Sequence, residues 1–397
     1  MEKRIRLAVI VSHPIQYYVP LYRRLAKRDD IDLKVFFTWH AGQQSQYDPG
    51  FQRDVAWDIP LTSGYDYELL TNTARRPGSD HFWGIRNPTL VKRIRDWRPD
   101  AVHITGYAYA SHLRGMRAFY RLGLPVLFRG DSHLLGRKPG LLWQMKRQAL
   151  RGIYQWARTC LYVGKHNHDY FREAGVPESR LAYCPHSIEV ERFANPNSEL
   201  EDKARRWRNE LGIPDRARTL LFAGKFERKK RPLELMKAAA AMRDVDLVLI
   251  MVGSGDLENE VQSLARQFPQ KFRLLPFQNQ RTMPVVYRLG DIFALPSAFD
   301  ETWGLAVNEA LACGRRVLIS DKVGCAPDVV TSKEVGSVFT TLDDSDFGRS
   351  LRSLLDEEPQ EQTIRKTAAR FDVTVTERTL VEALKRTVGE SNPESSH

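Results

Sequence analysis

Two glutamates and two lysines stand at spacings that could hold a charged, hydroxyl-rich ligand. An apolar run at residues 292–295 reaches Pro296, and a helix-forming run then extends from about Gly304 to a stop at Gly314. The order is strand, turn, helix N-terminus. The amides of Gly304 and Leu305, aligned with the helix dipole, favour an anion such as a diphosphate. Glu301 stands just ahead of the helix and Glu309 eight residues later inside it, which suits a ligand with hydroxyls at two separated places. Upstream, Lys225 and Lys230 follow Gly224 after a second apolar run, at residues 220–223. Two cations between a strand and a helix could neutralise a diphosphate leaving group. The plain alternative is an ordinary crossover whose glutamates are merely solvated.

The elements that must position these groups read as α/β. A chain of 397 residues is long for one core, so two domains are expected. Apolar runs at residues 6–12, 33–38, 101–105, 125–128, 160–164 and 181–184 have the composition of parallel strands covered on both faces. Residues 220–223, 246–252, 272–278 and 292–295 repeat the pattern in the second half. The stretch at 40–88, rich in Gln, Gly, Asp and aromatics, is read as short strands and acceptor-facing loops. In open α/β sheets ligands bind at the carboxyl ends of strands, so His13, Gln16 and Tyr17, after the first strand, are pocket candidates.

No apolar run reaches the roughly 18 to 20 residues of a membrane span, and residues 7–11 are strand-length rather than a signal peptide. Cys160, Cys184, Cys313 and Cys325 lack C-x-x-C spacing and sit in or beside apolar segments. Buried free thiols in a reducing cytoplasm are expected. The D-x-D triplet Asp30-Ile31-Asp32 stands at a strand entry, where acidic turn residues are common, and is read as no metal site.

The string Leu-Pro-Ser before Glu301 and Glu-Ala-Leu-Ala-Cys-Gly from Glu309 to Gly314 resembles the E-x7-E signature of family 4 retaining glycosyltransferases, the "glycosyl transferases group 1" set. Residues 224–231 are similar to that family's G-R-L-x-x-x-K-G, with Lys225 in place of Arg, which loses a bidentate fork. Gly253-Ser254-Gly255 resembles its G-x-G. Residues 185–193 resemble its P-N-G-I-D-x-x-x-F, with His186-Ser187 in place of Asn-Gly. The resemblance implies a GT-B fold, two Rossmann-like doubly wound domains facing across a cleft. Residues 1–195 would take the acceptor and 205–372 the nucleotide sugar. A helix at 373–389 would cross back to the first domain, followed by a disordered tail at 390–397, with a linker at 195–198.

By the same resemblance Lys225 and Lys230 hold the diphosphate, Gly253 shapes the pocket, and backbone groups at Phe277 and Gln278 hold the base. Glu301 touches the donor sugar and Glu309 the ribose, while Thr302 and Trp303 replace the commoner Gly-Phe before Gly304 and Leu305. Asp131 falls where many members carry a catalytic-centre histidine, with His133 the fallback. The implied reaction moves a sugar, with retention and without a metal, from a nucleoside-diphosphate sugar to a saccharide or lipid-linked acceptor, in polysaccharide or glycolipid synthesis. An in-class alternative is a GT-B nucleotide-sugar 2-epimerase.

The net charge of +11 is uneven: residues 1–200 hold 30 Lys and Arg against 19 Asp and Glu, and the remainder holds 30 of each. An anionic partner for the first half follows, either a lipid surface or a nucleic acid. Between Ser132 and His168 no acidic residue occurs, while Arg137, Lys138, Lys146, Arg147, Arg151, Arg158 and Lys165 are basic. Leu141, Leu142, Trp143, Met145, Leu150, Ile153, Tyr154 and Trp156 would share one helical side. A basic amphipathic helix with Trp suits the cytoplasmic membrane face, and the inner face of a sheet-covering helix is the competing reading. Nucleic-acid motifs of the RNP, zinc-finger or basic-helix kind are absent, which disfavours a nucleic-acid binder.

Overall fold

The computed structural model describes residues 4–39, 46–136, 140–194, 198–341 and 343–389. The expected tail at 390–397, most of the linker (195–197), Arg137 and Lys138 lie outside the described residues. The chain divides into two compact units. One comprises Met1–Gln44, Pro60–His186 and Val373–His397, the other Ser45–Ile59 and Ser187–Asp372.

The strands are β1 (Ile5–Val11), β2 (Ile31–Phe37), β3 (Gln46–Asp48), β4 (Arg53–Val55), β5 (Tyr67–Leu69), β6 (Ala101–Thr105), β7 (Val126–Arg129), β8 (Thr159–Tyr162) and β9 (Leu181–Tyr183). In the first unit seven of them form a parallel sheet in the order β5-β2-β1-β6-β7-β8-β9. Leu7, Ala8, Val9 and Ile10 of β1 are fully buried, as a central strand covered by helices on both faces must be. The second strand starts two residues earlier than its apolar run suggests, because Ile31 pairs with Ile5 and is buried. Asp30 and Asp32 are held by cations: Asp30 by Arg28 at 2.7 Å and Lys385 at 2.8 Å, Asp32 by Arg6 at 3.1 Å.

The helix Val373–Gly389 belongs to this first unit. Its Glu377 accepts from Arg24 at 2.5 Å and Arg28 at 3.1 Å, and the hydroxyls of Thr387 and Thr159 meet at 2.7 Å. Leu380 and Leu384 are fully buried on its inner side.

In the second unit β10 (Arg218–Ala223), β11 (Leu247–Val252), β12 (Phe272–Leu275), β13 (Ile292–Leu295), β14 (Arg316–Ser320) and β15 (Gly336–Phe339) form a parallel sheet ordered β12-β11-β10-β13-β14-β15. The strand order reverses between β10 and β13, which are hydrogen-bonded neighbours. The loops at their carboxyl ends therefore diverge at the topological switch point, where doubly wound sheets bind ligands. In the first unit the corresponding point lies between β1 and β6. Strands β3 and β4 form a separate antiparallel hairpin that groups with the second unit.

Candidate functional site

At the switch point of the second unit the two predicted motifs meet. The Lys230 ammonium is ion-paired to Glu301, and Ser297 donates its hydroxyl to the same carboxylate at 2.9 Å. The backbone joins too, the Ala298 amide donating to the Lys229 carbonyl at 2.8 Å. Lys230 and Glu301 are 17% and 13% exposed, so their charges face each other in a partly desolvated place. Asp300 adopts a left-handed conformation at φ 53°, and the Glu301 carbonyl accepts from Gly324 at 2.9 Å, which fixes the loop after β13.

The helix Leu305–Ala312 begins directly behind, with Gly304 as N-cap at φ 94°. A side chain there would be strained and would press on Leu295 and Val323 at 3.0 Å, so the turn into the helix calls for glycine. Gly253, at φ 148°, approaches the Gly224 carbonyl so closely that a Cβ would lie 1.9 Å from it. The loops after β10 and β11 thus pack backbone on backbone. Gly224 also donates to the Val252 carbonyl at 3.0 Å.

Thr302 is half-buried beside Glu301. The Trp303 indole packs in the core against Phe371 and donates to Asn308 at 3.3 Å, so any ligand contact at this position falls to its backbone. Glu309, 2% exposed, accepts from the Tyr287 hydroxyl at 2.6 Å. Phe277 and Gln278 follow β12, both half-buried, and the Gln278 side-chain Nε2 donates to the Pro276 carbonyl at 3.1 Å. Lys225, next to Gly224, is bonded to Asp48 at 2.9 Å. Ser297, Tyr287 and Asp48 were missed from the sequence. Ser297 had a local signal, its hydroxyl standing four residues before Glu301.

In the first unit Ser12 and His13 follow β1, Gly106 follows β6 and residues 130–133 follow β7, on three adjacent strands. The Ser12 hydroxyl meets His13 Nδ1 at 2.9 Å, and the ring lies edge-on to Trp39. Burial holds the His13 imidazole below its usual value, favouring the neutral ring. Gln16 and Tyr17 are half-buried on the same loop. Asp131 lies 3.9 Å from His186 Nε2, and His133 Nδ1 instead accepts from the Leu135 amide at 3.1 Å. Arg129, not among the sequence candidates, is 3% exposed at the end of β7 and donates to the Pro185 carbonyl at 2.9 Å. A cation closing an apolar strand was its signal. Burial, and secondarily the Arg129 charge, push His186 well below the usual range, so it is neutral.

The apolar side of the helix Leu141–Tyr154 divides. Leu150 and Tyr154 are buried, with Trp143 and Ile153 packed against the core. Leu141, Leu142 and Met145 are 72%, 83% and 63% exposed beside exposed Lys146, Arg147 and Arg151. No helix among the described residues is long and apolar enough to cross a membrane. All four cysteines are buried and free.

Two family descriptions match, one on each half of the sequence: "Glycosyltransferase Family 4" over residues 21–192 and "Glycosyl transferases group 1" over residues 203–371. A D-inositol 3-phosphate glycosyltransferase of Corynebacterium jeikeium is 31% identical over 186 residues, 44% of this chain and 43% of that protein. The alignment thus spans under half of that relative's length. A glycosyltransferase of Rickettsia africae superposes with a TM-score of 0.73 at 13% identity, covering 97% of this chain and 99% of that one. Anabaena HepE, solved with UDP and glucose, superposes at 0.70 with 16% identity over 96% and 100%. These likenesses give the architecture as GT-B. With a family match on each half of the sequence and the Lys230–Glu301 pair seated at the switch point of the second sheet, the chain belongs to the group 1 glycosyltransferases of family 4.

Proposed function

We propose that this protein moves a glycosyl unit from a nucleoside-diphosphate sugar, taken by the second unit, to a saccharide or lipid-linked acceptor taken by the first. The reaction proceeds with retention of anomeric configuration and needs no metal. The observation that carries this reading is the convergence of Lys230, Glu301 and Ser297 at the start of the helix Leu305–Ala312. As the bond to the sugar breaks, negative charge gathers on the departing diphosphate. An ammonium group and helix amides stabilise that charge more than they stabilise the ground state. Glu301, with its second partner Ser297, can exchange Lys230 for sugar hydroxyls. Lys225 supplies a second cation, and Asp131 stands on the acceptor side.

The exposed Leu141, Leu142 and Met145, flanked by cations, support an acceptor presented at an anionic membrane surface, consistent with glycolipid or surface-polysaccharide synthesis. UDP is the first nucleotide to try, because it is what the Anabaena neighbour binds. A thermal-shift screen of UDP-, GDP- and TDP-sugars should give one clear stabiliser, and the anomeric proton of the product should report retention by NMR with EDTA present. Conversion of the donor to its 2-epimer without acceptor, or an inverted product, would overturn the reading.

A further inference from the structure

The hairpin formed by β3 and β4 lies in sequence within the first unit's residues, yet it packs on the second unit's strand ends. Asp48 accepts from Lys225 through both oxygens, at 2.9 and 3.1 Å. Its Oδ1 is also held by the amides of Gly50 at 2.8 Å and Phe51 at 3.1 Å. Burial alone would raise the Asp48 carboxyl, but Lys225 and these two amides outweigh it and hold the group below its usual value. At neutral pH Asp48 is a fixed anion on Lys225.

The rest of the hairpin continues along the same edge. The Phe51 ring stands edge-on to Phe277 at 4.7 Å between centroids, and the Arg53 guanidinium lies 5.1 Å over that same ring. The Phe51 carbonyl accepts from Ser254 at 2.8 Å, and the Ala56 carbonyl accepts from Asn279 at 2.6 Å. One short segment therefore engages the loops after β10, β11 and β12, through Lys225, Ser254 and Phe277.

We propose that residues 48–53 are a built-in competitor of the donor: Asp48 takes the place of a phosphate on Lys225, Phe51 and Arg53 cover the base position at Phe277, and nucleotide binding requires them to leave. The inference rests on the reading of Lys225 and Phe277 as diphosphate and base contacts. Asp48 occupies donors of Lys225 that a diphosphate would take, and its negative charge opposes the arriving one. The seated hairpin therefore subtracts from affinity by the fraction of molecules in which it is seated. If that fraction is about nine in ten, a nucleoside diphosphate binds roughly tenfold more weakly than to an unblocked site. A nucleotide whose base and phosphates together replace all three contacts displaces the hairpin; a bare monophosphate gains less.

Isothermal titration of the full chain with UDP, GDP and ADP tests this. Asp48→Asn and Phe51→Ala should each tighten the best-bound of the three by roughly threefold to tenfold. No tightening with any of the three overturns the proposal. Lys225→Ala placed in the Asp48→Asn background separates the two levels. Unchanged affinity there refutes the role of Lys225 itself, whereas weakened affinity without tightening by Asp48→Asn refutes only the hairpin. As a second readout, the same nucleotide should accelerate tryptic cleavage after Arg53. Protection at Arg53 would mean that the hairpin closes over the ligand and would also overturn the proposal.

Discussion

Lys230 and Glu301, 71 residues apart in the chain, are ion-paired across the loops that leave two neighbouring strands. Neither loop alone contains both charges; the sheet order makes the pair. Glu301→Gln and Lys230→Ala should each lower turnover by about a hundredfold or more, as loss of a preorganised charge does at such sites. The double variant should cost less than the product of the two, because the residues act as one unit. Steady-state rates with the identified donor check this. Losses under about threefold in both variants would remove the pair from the reaction.

The Tyr287 hydroxyl bonded to Glu309 at 2.6 Å is buried with its partner. Tyr287→Phe removes one hydroxyl donor from a buried carboxylate, at a cost of about 1–3 kcal/mol. Urea unfolding should show that loss in the second unit's transition, while Tyr287→Phe leaves the fold's circular dichroism unchanged.

Acid should destabilise the first unit through histidines that are buried neutral. Burial pushes His103 down to about 3 and His112 down to about 4. Both His103 ring nitrogens lack a partner among the described residues, while His112 Nδ1 faces the Thr105 and Gly106 carbonyls at 3.1 Å and Nε2 meets Thr38 at 2.9 Å. An unfolded histidine takes up its proton near pH 6.5, so below that value the unfolded chain binds protons that the folded chain refuses. The stabilisation is full above about pH 6.5 and declines as pH falls from there toward about 4. Melting temperature measured between pH 7.5 and 4.5 should fall on the acid side, and His103→Leu should flatten the slope. A flat wild-type profile would contradict the assignment.

Leu141, Leu142 and Met145 pack on little of their own chain, so replacing all three with Ser should leave the melting temperature nearly unchanged. Binding to vesicles with phosphatidylglycerol should weaken by tenfold or more, since each side chain forfeits its transfer from water to lipid. Lys146→Ala should cost about fivefold more, and salt should weaken the wild type on these vesicles. No co-sedimentation with anionic vesicles at low salt would refute a membrane role, and equal co-sedimentation with neutral and anionic vesicles would refute the part assigned to the cations.

The sheets were legible because parallel strands covered on both faces are written as apolar runs: residues 101–105 and 292–295 appear in the structure with those bounds. The motif loops were legible for a related reason, since they must follow such runs. Hairpin β3–β4 was not. Its strands have three residues each, too few for a period-two pattern, and Asp48 meets Lys225 from 177 positions away. Composition at 40–88 suggested acceptor-facing loops; residues 46–59 group with the second unit, where an ion pair, a ring contact and two backbone carbonyls meet it. The helix Leu141–Tyr154 showed a similar limit. Periodicity placed eight apolar residues on one side, but only packing distinguishes Leu150, which is buried, from Leu142, which faces solvent.

The helix Val373–Gly389 completes the first unit, although the whole second unit precedes it in sequence. During synthesis the early sheet must therefore wait on the ribosome with the surface for Leu380 and Leu384 uncovered, and with Arg24 and Arg28 lacking Glu377. A truncation at residue 186 would inherit that half-built state permanently, whereas a circular permutant that joins 373–389 ahead of residue 4 would let the first unit mature before residues 187–372 of the second are made.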